Sequence, residues 1–404
     1  MADAPVRVVQ IITRMILGGA QQSVLYLCEA LRQRGWDALL LTGPPLGPEG
    51  ELLTDAARRG IPCRLVPEMR REVHPWRDGL AFVKLVHLLR HLRPAIVHTH
   101  SSKAGVLGRL AARVARVPIV IHTIRGLPFH PYAPAYQNLI FRAAERVAAT
   151  VTDHFSCVAQ AMVDGAVAAG LGPRERFTVV RSGIDIGAYQ GIGADRERVR
   201  RRFGLQPDDF VIGKIARLFD LKGHRFLIRA APKIVARCPE ARFLFVGEGI
   251  LRGELEELAE EFGVRDRISF AGLLPPEQIP AVLGAMDVLV HASLREGLAR
   301  VLVQALLCEK PVVTYALDGA PEVIVEGVTG RLVPGKSIQE LADAVLWVAE
   351  HRGRAQAMAR EGRRRFADEF SIEQATTETE QLYRRLLARK APGTPLPPTS
   401  PPRR

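Results

Sequence analysis

Residues 287–324 read DVLVHASLREGLARVLVQALLCEKPVVTYALDGAPEVI, and the order of residue types in them decides the fold. An apolar run, DVLVHA, has the length and composition of a buried strand, and the polar turn SLREG follows it. LARVLVQALLCE then has helical periodicity, PVVTYA is a second apolar strand, and Gly319-Ala320-Pro321 opens a further helix. Strands that run through glycine-bearing turns into helices leave unpaired N–H groups and a positive dipole end at the carboxyl edge of a parallel sheet, where anions bind. Glu296 stands at the first of these turns. A carboxylate there either caps the helix dipole or accepts hydrogen bonds from hydroxyl groups lying beside a bound phosphate, as a sugar phosphate would offer.

The same stretch resembles the carboxyl-terminal signature of the family 4 (group 1) retaining glycosyltransferases, in which a glutamate, seven residues and a second glutamate precede a Gly-x-Pro-Glu turn. Glu296, Gly297, Leu298, Pro311 and the turn Gly319-Ala320-Pro321-Glu322 match it, whereas Gln304 stands where the family has its second acid. The resemblance implies that Glu296 orients the donor sugar and that the residue at 304 holds the nucleotide ribose. An amide both donates and accepts, so Gln304 keeps part of that capacity.

The chain has 404 residues, more than one hydrophobic core usually serves, so two domains and short ends are expected. The divisions read from it are 1–185, 186–370, a crossover helix over 371–390 and a disordered proline-rich tail over 391–404. No apolar run reaches the roughly 18–20 residues of a membrane span, and Met1 to Pro5 leads directly into a strand, which predicts a cytoplasmic protein. The five cysteines, Cys28, Cys63, Cys157, Cys238 and Cys308, lack paired spacing and suit reduced, buried thiols better than zinc sites or disulfides.

The formal charge is +13. Residues 1–185 hold 23 Lys/Arg against 14 Asp/Glu, or +9, and the remaining 33 against 29 leave +4. The helical segment from Trp76 to Arg93 combines bases with apolar residues, as a solvated helix face or a contact with an anionic membrane surface would. Nucleic acid is excluded as a partner, because aromatic residues are only 6% of the chain and no binding module is present.

The first half alternates strands and helices: strands at 7–13, 37–42, 63–66, 95–100, 119–123 and 151–157, helices at 21–34, 50–59, 76–92, 103–115 and 134–149. This predicts a parallel sheet covered on both faces. Gly18-Gly19 lies at the first strand-to-helix turn, where glycine lets backbone approach a ligand. It is not the GxGxxG of a dinucleotide fold. Two strand ends carry polar residues, His98-Thr99-His100-Ser101-Ser102-Lys103 and His122-Thr123-Ile124-Arg125-Gly126. They mark a second site at the carboxyl edge, with His100, Lys103, His122 and Arg125 on its acceptor or sugar side. Metal ligation by these histidines lacks a neighbouring carboxylate. The resemblance extends to both segments, but Arg125 replaces the family's histidine in its HTxHG pattern. A permanent cation there suits a phosphate or an acidic sugar, and His122 or His130 could substitute for the missing histidine.

From Phe210 the alternation resumes, with helices over 224–237, 338–351, 354–370 and 372–389. Arg217 and Lys222 flank the loop after the first strand of this half, two permanent cations suited to a diphosphate. In the family an Arg and a Lys at this spacing contact the donor diphosphate. Gly247 and Gly249 follow the next strand, and Leu273 ends a third, where the family grips the nucleotide base. The fold class implied is α/β, with two facing Rossmann-like domains (GT-B), a cleft between them and a last helix crossing back to the first.

The function implied is retaining transfer of a sugar from a nucleotide-sugar donor, most commonly a uridine diphosphate sugar, to a glycan or lipid-linked acceptor, without cofactor or metal. No Asp-x-Asp motif is present. A nucleotide-sugar 2-epimerase and a non-catalytic homologue share the architecture; the first differs in needing no acceptor, the second in lacking turnover.

Overall fold

The computed structural model describes residues 5–47, 49–192, 195–394 and 396–398, and they form two compact units. Residues 1–183 and 371–404 make the first, and 184–370 the second.

The first unit contains β1 (Arg7–Arg14), α1 (Gly19–Gln33), β2 (Asp37–Gly43), α2 (Leu53–Arg58), β3 (Cys63–Leu65), α3 (Pro75–Leu92), β4 (Ile96–His100), α4 (Ser102–Val114), β5 (Ile119–Ile124), α5 (Ala135–Thr150), β6 (His154–Cys157), α6 (Gln160–Ala168) and β7 (Phe177–Val179). Its seven strands lie in the order β3-β2-β1-β4-β5-β6-β7, all parallel. Six central residues of β1 are buried, as a strand covered on both faces requires. Winding reverses between β1 and β4, and at such a switch point the two flanking loops diverge and leave a crevice at the carboxyl edge.

The second unit contains α7 (Arg196–Arg202), β8 (Phe210–Ile215), α8 (His224–Arg237), β9 (Ala241–Val246), α9 (Arg252–Glu261), β10 (Ile268–Gly272), α10 (Ile279–Ala285), β11 (Val288–His291), α11 (Arg300–Leu307), β12 (Val312–Tyr315), β13 (Arg331–Val333), α12 (Ile338–Glu350) and α13 (Arg352–Phe366). Its six strands run β10-β9-β8-β11-β12-β13, again parallel, with the reversal between β8 and β11. Phe210, Ile212, Phe243, Phe245, Val288 and Val290 supply the core beneath α8 and α12.

After α13 the chain returns to the first unit as α14 (Ile372–Lys390), whose N-terminus is capped by the Ser371 hydroxyl accepting from the Gln374 N–H at 3.0 Å. Leu382, Tyr383, Leu386 and Leu387 of α14 pack with Val8, Ile96 and Ile121 of the sheet. Tyr383 also meets Trp36 edge to face, with ring centroids 5.8 Å apart.

Several boundaries depart from the sequence reading for local reasons. The second helix starts at Leu53 rather than Gly50, because the Glu51 carboxylate caps the N–H groups of Leu53 and Thr54. Residues 151–153 are not strand, since the Val151 and Thr152 N–H groups complete the last turn of α5 on Ala148 and Ala149. Strand β7 and helices α6, α9 and α10 were not anticipated. Of the proline-rich tail, residue 395 and residues 399–404 lie outside the described residues, while the carbonyl of Pro397 accepts from Arg384 at 2.6 Å.

Candidate active site

The switch point of the second unit is built from loops that glycine allows to lie against one another. Gly223 has φ +74, and a Cβ there would meet the Ala292 carbonyl oxygen at 1.7 Å, so a side chain would force the β8–α8 loop off the end of β11. Gly247 has φ +135, and its Cβ would come within 2.2 Å of the Ala216 carbonyl oxygen. The loops are tied by Leu294 N–H to the Leu221 carbonyl at 2.8 Å and by Leu218 N–H to the Glu248 carbonyl at 3.0 Å.

Glu296 lies at the centre of this edge. Its Oε1 is 2.5 Å from Lys222 Nζ, accepts from Ser293 Oγ at 3.1 Å, and is 3.5 Å from His291 Nε2. Its own N–H donates to Asp318 Oδ2 at 2.6 Å. Asp318 adopts φ +51, a conformation that costs a non-glycine residue energy and is held here by that bond. Burial would raise the Glu296 carboxyl, but Lys222 and His291 outweigh it and hold the group well below the ordinary carboxylate range. Burial raises Asp318. Arg217 lies half-buried five residues before Lys222, its guanidinium 4.9 Å from the centre of the Phe219 ring.

Behind this ion pair are three basic groups that the sequence reading did not select. Lys214 on β8 and His224 at the start of α8 are almost wholly buried, and neither the lysine ammonium nor either ring nitrogen of His224 has a hydrogen-bond partner among the described residues. His291 on β11 is also buried. Burial, aided by Lys222 and opposed by Glu296, lowers Lys214 to about 7. Burial likewise keeps His224 and His291 below the ordinary histidine value. The signal was present in the sequence: FVIGKI puts a lysine inside an otherwise apolar strand.

Other donor-side positions are placed as follows. Gly249 packs on the Leu218 carbonyl, where a Cβ would approach to 2.3 Å. Leu273 follows β10 and is half-buried, while Leu298 is buried just before α11. Gln304 is half-buried on α11. The Gly319 N–H donates to the Gly297 carbonyl at 3.0 Å. The helix expected after Gly319 is instead a single 3-10 turn, Ala320–Glu322. The Thr329 hydroxyl donates to the Val323 carbonyl and accepts from the Val325 N–H, both at 2.8 Å, and so takes the bonds that a longer helix would use. One turn carries little dipole of its own.

In the first unit, Gly18 precedes α1 in extended backbone, φ −171, and Gly19 opens the helix. His100 and His122, read from the sequence as lying on the acceptor or sugar side, stand on β4 and β5. Both are buried, with His100 Nε2 2.7 Å from Gln10 Oε1 and His122 Nδ1 2.8 Å from Thr99 Oγ1. Burial lowers both far below the ordinary histidine value. Lys103 is bound by Asp78 at 2.6 Å and by the Glu72 carbonyl. Arg125 donates to Ser182 Oγ at 2.9 Å and lines a water-sized cavity of about 30 Å³ with His100, Thr123 and Arg181. Among the described residues no three His, Cys, Asp or Glu side chains are grouped as metal ligands.

The sequence profile of the glycosyl transferases of group 1 matches residues 195–365, and that of the glycosyl transferase 4-like domain matches residues 18–183. Together they span most of both units. The chain belongs to the group 1 glycosyltransferases. This glycosyltransferase is 30% identical over 326 residues to the 2-deoxystreptamine glucosyltransferase of Streptomyces kanamyceticus, covering 77% of this chain and 82% of that one. It is 26% identical over 378 residues to the UDP-Gal:alpha-D-GlcNAc-diphosphoundecaprenol alpha-1,3-galactosyltransferase of Escherichia coli, covering 93% and 96%. Its fold is similar to that of Anabaena HepE solved with UDP and glucose, with TM-score 0.80 at 23% identity over 93% of this chain and 99% of that one. WaaG, a glycosyltransferase of lipopolysaccharide biosynthesis, gives TM-score 0.72 at 18% identity, covering 92% and 98%. The two parallel-sheet units are those of the GT-B fold.

Proposed function

We propose that this glycosyltransferase moves a sugar from a UDP-sugar to a glycan or lipid-linked acceptor of the cell envelope, with retention of configuration. The observation that carries the reading is the Lys222–Glu296 contact at the switch point between β8 and β11, where a doubly wound sheet binds its ligand. Arg217 and Lys222 stabilise the charge that grows on the diphosphate as it leaves. Glu296, ionised and fixed by Ser293 and Asp318, accepts hydrogen bonds from donor-sugar hydroxyls and so orients the anomeric carbon. The glycines at 247, 249, 297 and 319 and Leu273, Leu298 and Gln304 border the nucleotide. The Escherichia coli relative, named for a UDP-Gal donor and a diphosphoundecaprenol acceptor, and the UDP held by HepE support the choice of donor and acceptor classes.

The surface of the first unit supports an acceptor presented at a membrane. Trp76, Leu80 and Val83 form an exposed stripe along α3, 83%, 56% and 62% accessible, on the helix that also carries Arg77. Tyr136, Leu139 and Ile140 of α5 are also exposed, and both helices pack against α4. Apolar residues flanked by bases suit peripheral binding to an anionic bilayer. No helix among the described residues is long and apolar enough to cross a membrane.

Calorimetric titration with UDP, GDP and ADP and their sugar conjugates tests the donor assignment. The reading expects UDP to bind, Arg217→Ala to abolish binding, and Glu296→Ala to weaken the sugar conjugate while sparing UDP. Binding unaffected by Arg217→Ala would remove the basis for the site.

A further inference from the structure

Lys214 is a fully buried ammonium-bearing side chain with no hydrogen-bond partner among the described residues, on β8, the strand that leads into the loop whose Lys222 holds Glu296. Buried lysines without partners are expensive and are retained where a changing charge uses them. The groups that face it are few. Lys222 comes from the loop after β8 and opposes its protonation, while Glu296 from the turn after β11 favours it. His224 of α8 and His291 of β11 feel its charge. Phe245, its register partner on β9, is apolar.

Without ligand, Lys222 neutralises Glu296 across 2.5 Å. On the donor reading above, a bound diphosphate competes for that same ammonium. A carboxylate left unpaired in this setting would be strongly disfavoured, and a phosphate-neutralised Lys222 would no longer repel a second cation behind it.

We propose that Lys214 takes up a proton when a diphosphate draws Lys222 from Glu296, and replaces Lys222 as counter-ion to the carboxylate. The proton comes from the buffer. A cavity of about 230 Å³ lined by Phe219, Asp220, His224, Phe226 and Leu294 brings solvent-sized space to His224, whose ring feels the charge of Lys214. Lys214 is thus a positioning residue: it keeps Glu296 ionised and aimed at the sugar while Lys222 serves the phosphates. The inference rests on the donor site proposed above.

Titration of the full chain with UDP at pH 8 in two buffers of different ionisation enthalpy, phosphate and Tris, measures the protons exchanged. The terminal phosphate of UDP, with a second pKa of about 6, is already ionised there. Wild type should take up about half a proton or more per UDP, and Lys214→Met about none. The UDP dissociation constant of wild type should also weaken by about tenfold relative to the variant between pH 7 and pH 9. Equal heats for wild type in both buffers overturn the inference without any variant, and so does uptake that persists in Lys214→Met, which would assign the proton to His224 or His291. Failure of UDP to bind wild type would overturn the donor reading and this inference together, whereas binding without proton uptake overturns the inference alone.

Discussion

In the first unit, the polar side chains at the switch point satisfy one another. Gln10 bonds Tyr383 at 3.0 Å and His100 at 2.7 Å, while His98 bonds Tyr383 and Thr123 at 2.6 Å each. In the second unit, the matching edge holds an ion pair, and Lys214 and His224 beneath it have no hydrogen-bond partner among the described residues. The two sheets have the same winding and opposite treatment of buried polarity. A saturated network specifies a unique core, whereas an unsaturated one holds electrostatic energy that a ligand can draw on. Even in the first unit, His100 Nδ1 remains without a partner among the described residues, and it lines the small cavity beside Arg125.

The comparison is broken or sharpened most strongly by Glu296→Ala. Transferase kinetics should show kcat/KM lower by about 10²–10³-fold, with the unfolding midpoint close to wild type, if this edge serves chemistry rather than stability. The opposite substitution is Gln10→Leu, which strips partners from Tyr383 and His100 and should cost about 1–3 kcal/mol in denaturant unfolding while leaving the UDP dissociation constant unchanged. A change in UDP affinity there would erase the distinction between the two edges.

Lys214→Met should stabilise the fold, by an amount set by pH. The lysine is held at about 7 against an ordinary 10.5, so between those values the unfolded chain carries the proton and the folded chain does not. Its contribution to stability therefore rises with pH across that window, and below about 7 the penalty for the buried charge is complete. Thermal melts should place the variant above wild type at pH 6.5, with the gap closing toward pH 10. A gap independent of pH would show that the gain came from packing. The smallest effect concerns neither edge: Trp76→Ser with Leu80→Ser should lower flotation with anionic vesicles several-fold, leaving stability within about 0.5 kcal/mol because both side chains are exposed.

The sequence exposed what is local. Apolar runs and glycine turns mark strands and loops without reference to distant residues, and the turns that carry Lys222 and Glu296 do meet. What the sequence did not expose at His100 and His122 is the hydrogen-bond partner of each. A polar residue at a strand end looks like a ligand contact until its partner is known, and Gln10 lies 90 positions from His100. Tyr383 lies 285 positions from His98. Lys214 was passed over although FVIGKI puts a lysine in an apolar strand, and its isolation depends on the neighbours that folding assembles. Helix α9 was hidden by its composition, RGELEELAEE, with only Leu255 and Ala259 buried on a mostly charged surface.

The placement of α14 also constrains synthesis. Tyr383 closes a network in which Gln10 and His98 are translated 373 and 285 residues earlier. While the ribosome is still making the second unit, Val8, Ile96 and Ile121 therefore lack the apolar cover that Leu382 and Leu386 will bring. The emerging protein carries a sticky sheet face through most of its own translation, and the second unit can complete its core before the first.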